Sequence, residues 1–451
     1  MKLLFEYLKD RMEQNQDKRI TSGNQSITYG ELIQFSCKHY SELNQKKYAI
    51  RCSNVLDTIK ALFTCFCASR TAIILSEKYG QVHCEKVISK TKPNAIISDG
   101  FCIETNKKLN ILETLYDTFR LKNVQLLMCT SGTTKNLPKA AMITHKNLIC
   151  NLLSIEEYFK LNSSDKILII RPVYHCAVLT GEFLISLVLG VNVFFYDEDF
   201  DPYRIIEIIK MNGITTIGAT PSLIYQLSRI VAKKSISLPL INLVLSGESL
   251  HDNVYRELRK AFPNVNVYSV YGLTEASPRV LYLPPDKFNN NYSSVGVPVK
   301  NCKVKITDNE LCVKSPSVMK GYYNDYFLTK KTIRNRWLHT GDIATLNSQG
   351  YIEIKGRMDD MIIKNGINIY PLEIVNAILN DQNISEVHVY STQSTTNNTK
   401  IHMKVVCSYK KKSEVFDSCK RYLPIYQYPD YIEIVDTLPK NASGKVKNNF
   451  N

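Results

Sequence analysis

Short apolar runs recur from Ala72 to Val270 with amphipathic segments between them, and this alternation constrains the fold more than any other feature. "AIILS" begins at Ala72, "AIIS" at Ala95, "QLLMC" at Gln125, "KILII" at Lys166, "VFFY" at Val193, "TTIGA" at Thr215, "INLVLS" at Ile241 and "NVYSV" at Asn266. Each has the length of a strand, and helical periodicity fills several gaps, as over Asn147–Tyr158 and Pro202–Met211. Strands alternating with helices predict an α/β fold with a large domain of layered, mostly parallel sheets flanked by helices. In such sheets ligands sit at the carboxyl ends of strands. Thr130, Ser246 and Tyr271 fall there.

A chain of 451 residues exceeds what one core usually organises, so at least two domains are expected. After Phe288 the strands become shorter and more polar, as in "NELCVKS" and "GYIEIKGR", a small β-rich portion of the large domain. Beyond Arg357 comes "DMIIKNGINIY", a hairpin with Asn365-Gly366 at its turn. A helix starting at Pro371, strands "EVHVYS" and "KIHMKVVC", a helix "SEVFDSCKRY" and a strand "YIEIVD" follow. These predict a large N-terminal domain over 1–357 and a small α+β C-terminal domain over 358–451, joined within Arg357–Asp360.

Hydrophobic content of 44% and charged content of 22% are ordinary for a globular protein and argue against extended disorder. The net charge of +15 comes from Lys spread along the chain, with no Lys/Arg run longer than Lys410–Lys412, so nucleic-acid binding is not expected. The 13 Cys are scattered without a Cys-x-x-Cys, which disfavours disulfide frameworks and zinc sites and suits a reducing, cytoplasmic compartment. "MKLLFEYLKDRM" reads as an amphipathic helix and not a signal peptide. Phe183–Tyr196 is too short for a membrane span of roughly 20 residues. A buried helix broken at Gly190 and followed by a strand explains it.

Several strings can carry chemistry. Thr130, Ser131, Gly132, Thr133 and Thr134 follow a strand, and their backbone N–H groups and hydroxyls can ring an anion, with Lys139 adding charge. A solvated Ser/Thr turn is the alternative, and the string is not a Walker loop. "YGLTEAS" offers Tyr271 as a flat face for a base, after it Gly272, and Thr274 and Glu275 as hard oxygen ligands for magnesium. It also reads as a capped helix start. In "WLHTGDIATLNSQGYIEIKGR", Asp342 can accept from two vicinal hydroxyls, with Arg357 beside it, or can be a turn residue. "LPKNASGKVK" can deliver the Lys445 ammonium to a developing oxyanion, or can be a basic tail. His175 in "RPVYHCA" is a lone His without triad partners.

Taken in order, these strings resemble the adenylate-forming superfamily of acyl-CoA synthetases, peptide-synthetase adenylation domains and luciferases. The resemblance runs from "ITYGEL" at Ile27 to Lys445. It is strongest in "YGLTE", "LHTGD", "ELCVKSPSVMKGYYN", "GYIEIKGRMDDMIIKNGINIYPLEIV" and "LPKNASGK". It implies an enzyme that uses ATP and Mg²⁺ to convert a carboxylate to acyl-AMP with release of pyrophosphate. The acyl group then passes to a thiol. By position, Thr130–Thr134 and Lys139 would hold phosphate oxygens, Thr274 the α-phosphate and Glu275 the metal. Tyr271 and Gly272 would flank adenine, Asp342 and Arg357 would hold the ribose, and Lys445 would bridge carboxylate and phosphate. Asp359 matches the hinge of a mobile small domain, whose rotation would bring the Gly366 loop to the thiol tunnel.

The resemblance places the acid against His175, Gly218–Pro221, Ser246–Glu248 and Tyr268–Val270. "RPVYHCAVLTGEF" lacks the Asp that holds an α-ammonium in amino-acid-activating relatives. A fatty, aryl or related non-amino acid is therefore expected, with coenzyme A as acceptor. A phosphopantetheine arm on an acidic carrier protein and an inactive nucleotide- or acyl-binding homologue are the alternatives. The phosphate loop departs from the family pattern: Lys135, Asn136 and Leu137 fill a gap that is one residue shorter in the family and contains Gly. A Gly there turns at positive φ freely, so a differently shaped loop is expected.

Overall fold

The computed structural model describes residues 3–75, 80–106, 111–130, 138–364, 367–393 and 399–439. A nine-stranded sheet has a parallel centre, in which Asn266–Gly272, Asn242–Ser246, Thr216–Ala219, Lys166–Ile169, Asn192–Phe195 and Arg19–Ser22 lie side by side. A six-stranded sheet has Ala95–Ser98, Lys47–Ile50, Thr71–Ile74 and Val124–Thr130 in parallel, with an antiparallel strand at each edge. All eight apolar runs are strands of these two sheets, and the helices extend over His145–Tyr158 and Pro202–Asn212. The fold is α/β as the sequence indicates.

Continuous apolar runs arise because both faces of these strands are covered. Ile167 and Ile169 face one core, shared with Leu126, Phe63 and Phe183, while Leu168 faces the other, packed by Ile205 and Leu227 from helices on the far side. Proline begins two of those helices where its missing N–H is harmless. Asp201 caps Pro202–Asn212, and Thr220 caps Pro221–Lys233. The run from Phe183 ends its helix at Gly190, whose φ of 67° is the left-handed conformation glycine adopts most readily. Among the described residues, no helix is long and apolar enough to cross a membrane.

A β-rich sheet formed by Lys303–Thr307, Glu310–Lys314, Ile333–Arg334, Trp337–Leu346 and Ile352–Arg357 follows. After the turn Met358–Asp360, a separate hydrophobic cluster draws only on residues from Ile362 to Ile434. It joins the hairpin Ile362–Lys364 and Ile367–Ile369, the helices Pro371–Ile378 and Lys412–Tyr422, and a three-stranded sheet. His251, on the large unit, meets the side chain of Asn376 on this small one.

Burial holds His251 and His388 down to about 4. Both stay neutral in the fold, whereas an unfolded imidazole takes up a proton near pH 6.5. Their contribution to stability is therefore complete above pH 6.5 and disappears as pH falls toward 4. Each is expected to remove roughly 3 kcal/mol at most over that window. Urea unfolding at pH 7 and 4.5 checks this: His388→Gln should flatten the dependence, and an unchanged slope would contradict it.

Candidate active site

The strand Asn266–Gly272 ends at a sharp reversal formed by the turn Thr274–Ala276 and the returning strand Arg279–Leu283. Leu273 N donates to the Pro278 carbonyl at 3.0 Å, and a Cβ on Gly272 would lie 2.0 Å from that same oxygen. Backbone packing alone therefore requires glycine at 272.

Tyr271 donates its hydroxyl to Asp342 Oδ2. Burial, and then the Asp342 carboxylate, push the phenol well above its ordinary value, so it is a neutral donor. Asp342 is 7% exposed on the strand Trp337–Leu346, and Arg357 is its partner across the sheet register. Arg357 Nη1 donates to Asp342 Oδ1 at 2.9 Å and to the Thr340 carbonyl at 3.0 Å. A carboxylate offers about four lone-pair sites, so Asp342 keeps acceptor capacity beyond Tyr271 and Arg357. Glu310 braces the turn that presents it: Oε1 accepts from Gly341 N at 2.9 Å, and Oε2 lies 2.7 Å from His339 Nδ1. Gly341 has φ 72°, which favours glycine.

Glu275 is held from another direction. Tyr322 donates to its Oε1 at 2.7 Å, and Met319 N donates to its backbone carbonyl at 2.8 Å. Burial and the Glu275 carboxylate raise the Tyr322 phenol, which keeps it a donor. The segment carrying Tyr322 lies along the strand Lys139–Thr144, with Met142 N donating to Gly321 O at 2.9 Å and Tyr323 N to Ala140 O at 2.7 Å. A buried network anchors it. Lys47 Nζ lies 2.6 Å from Asp117 Oδ2, Tyr323 donates to Asp117 Oδ1 at 2.7 Å, and Lys47 donates to the Tyr323 hydroxyl at 2.8 Å.

Thr130 and Lys139 face each other across the hairpin mouth from which the phosphate-loop candidate leaves. Thr274 and His175 line a common cleft with Met128, Cys129 and Cys176, and His175 heads the short helix Cys176–Val178. Asp359 sits in the turn between the β-rich sheet and the small unit's hairpin. Ser131, Gly132, Thr133, Thr134, the Lys135–Leu137 insertion, Gly366 and Lys445 lie outside the described residues. Of the expected acid-pocket segments, Gly218–Pro221, Ser246–Glu248 and Val270 emerge from adjacent parallel strands at one sheet edge. Two side chains there serve packing: Glu248 accepts from Ser222 N at 3.0 Å and Ser222 Oγ at 2.7 Å, and Tyr268 meets Phe159 edge-on at 5.1 Å.

Sequence reasoning assigned no role to Tyr322, Glu310 or Lys47. Each acts through a partner distant in sequence, so local pattern carries no signal for it. Glu310 and Tyr322 had one cue, since both lie in the family-like string "ELCVKSPSVMKGYYN".

Residues 115–323 match the family model described as AMP-binding enzyme. A 2-succinylbenzoate–CoA ligase from Oceanobacillus iheyensis is 26% identical, the match covering 98% of this chain and 97% of that protein. A long-chain-fatty-acid–CoA ligase from Salmonella typhimurium is 29% identical over 72% of this chain and 60% of its own length. The solved structure of O-succinylbenzoate coenzyme A synthetase from Bacillus subtilis in complex with AMP shares the fold. Its TM-score is 0.83 at 24% identity, over 98% of this chain and 96% of that one. The chain is thus similar in sequence to AMP-binding enzymes over residues 115–323 and shares the fold of that solved synthetase.

Proposed function

We propose that this enzyme activates a fatty, aryl or related non-amino carboxylic acid as acyl-AMP and transfers the acyl group to coenzyme A. The observation that carries the reading is the convergence of Tyr271, from the nine-stranded sheet, with Asp342 and Arg357, from the β-rich sheet, together with a Glu275 carboxylate that Tyr322 holds in place. The curated relatives named for CoA ligation support it.

In this reading the free acceptor sites of Asp342 take the ribose hydroxyls, Arg357 fixes that carboxylate, and the Tyr271 ring covers adenine. Thr130, Ser131, Gly132, Thr133, Thr134 and Lys139 surround the phosphates, and Thr274 donates to the α-phosphate. Glu275 fits a hard cation, because its Oε2 takes no hydrogen bond among the described residues while Oε1 is fixed by Tyr322. Magnesium bound there supplies neutralisation of phosphate charge. Lys445 brings its ammonium to the carboxylate and α-phosphate, where charge develops. The turn at Asp359 then rotates the small unit, withdrawing Lys445 and bringing the Gly366 loop toward the thiol's path.

Tyr322→Phe should lower kcat/KM for ATP about 10-fold, the scale of one hydrogen bond to a charged group. Steady-state kinetics at saturating magnesium checks this, and a change under twofold would remove Tyr322 from the account. The acceptor is tested by mass spectrometry of products with acid, ATP and either coenzyme A or a phosphopantetheinylated carrier protein. Acyl-CoA with AMP is the expected result. Loading of the carrier alone would replace coenzyme A by a protein partner.

A further inference from the structure

A thiol, an imidazole and a carboxylate meet on the β-rich sheet, on the face that its core does not use. The strands Glu310–Lys314 and Trp337–Leu346 send Leu311, Val313 and Leu338 into one hydrophobic cluster. Side chains alternate along a strand, so Glu310, Cys312 and His339 stand on the opposite face. Cys312 and His339 are direct partners across the register, and the register shifts between Glu310 and Cys312. Such bulges re-aim side chains and are frequent beside functional sites. A buried cysteine ordinarily serves as a small hydrophobe. Cys312 is fully covered, yet it belongs to none of the hydrophobic clusters among the described residues.

Cys312 Sγ lies 3.5 Å from His339 Nδ1, and Glu310 Oε2 lies 2.7 Å from that same nitrogen. The three atoms all lie within 4.8 Å of one another. A nucleophilic relay would need the thiol on one ring nitrogen and the orienting acid on the other, so this arrangement is not one. Convergence on a single point suits a cation instead. Four-coordinate zinc, bound at about 2.0 Å by nitrogen or oxygen and about 2.3 Å by sulfur, holds its ligands roughly 3.3–3.7 Å apart. The Sγ–Nδ1 separation already has that span. The Glu310–His339 hydrogen bond would open to about 3.3 Å as the ion takes the place of its proton.

The donor set also selects the ion. Thiolate and imidazole favour zinc-class cations, whereas magnesium prefers oxygen donors. Thiolate and carboxylate together balance two positive charges. The cations facing Cys312, Lys305 and Arg334, are both exposed and can turn outward. The Glu310 and His339 side chains keep 14% and 19% of their surface exposed, which leaves a way in from solvent. We propose that Glu310 Oε2, Cys312 Sγ and His339 Nδ1 bind a zinc-class divalent cation, with water as the fourth ligand, at a site separate from Glu275. Binding releases the Cys312 proton to solvent, and the imidazole proton moves to Nε2. Glu310 Oε1 stays on Gly341 N, so the ion clamps two strands directly behind the turn that presents Asp342.

The test titrates cobalt(II), and then zinc, into the chelator-treated whole chain in excess magnesium. Wild type should show an intense sulfur-to-cobalt charge-transfer band that saturates at about one equivalent and that zinc abolishes. Cys312→Ser should remove the band. His339→Gln should weaken cobalt binding by about 10-fold or more, since even partners outside the ligand shell carry that much. The absence of a band in wild type overturns the site. A band that persists in Cys312→Ser overturns it too and places the metal on other cysteines. Should Cys312→Ser not fold, His339→Gln, at a partly exposed position, decides, and an unchanged affinity there overturns the site.

Discussion

Asp342→Ala is expected to weaken ATP use by 10²–10³-fold in kcat/KM. The carboxylate accepts from Tyr271 on one oxygen and from Arg357 on the other. Its removal takes away the proposed ribose acceptor and leaves Arg357 without its partner. Hydrogen bonds to a charged group contribute about 1.5–3 kcal/mol each, and two ribose hydroxyls account for that range of loss. Tyr271→Phe separates the parts. It keeps the ring and loses only the hydroxyl, so the expected loss is near 10-fold. Kinetics at varied ATP measures both variants. A loss under threefold for Asp342→Ala would show that the ribose binds elsewhere.

Lys445→Ala is expected to slow adenylation by about 10²–10³-fold, the scale of losing one donor to a developing oxyanion. Thioester formation from supplied acyl-adenylate should remain largely intact, because the proposed rotation at Asp359 has by then withdrawn Lys445. The two half-reactions are measured separately, by pyrophosphate release and by acyl-CoA formation from synthetic acyl-AMP. Equal loss in both would place Lys445 in a general structural role.

The strands were legible because burial on both faces writes a continuous apolar word. "KILII" is such a word, with Ile167 and Leu168 in different cores. The helix start at Pro202 was legible, and its cap Asp201 is local chemistry, whereas the equally local start at Thr220-Pro221 was not read as a helix. The site was legible only in part. Tyr271 and Asp342 lie 71 positions apart, and Tyr322 and Glu275 lie 47 apart, so no periodicity or spacing links them. The resemblance named the first pair's members without their contact, and it gave Tyr322 no role. The sequence showed a buried helix only from Phe183, and the π-helical turn Leu179–Leu184 was not legible, because one extra residue in a helical turn leaves the apolar pattern nearly unchanged. The burial of Glu182 and Arg279 could not be read either, since charged residues are almost never fully buried unless paired.

Acid-dependent ATP–pyrophosphate exchange, run without any thiol over fatty, aryl, dicarboxylic and amino acids, tests the central claim most directly. It isolates the first half-reaction and depends on the phosphate loop that carries the Lys135–Leu137 insertion. The expected result is exchange with one class of non-amino acid and none without acid. ATP binding with no exchange for any acid would contradict acid activation and leave a nucleotide-binding homologue in its place.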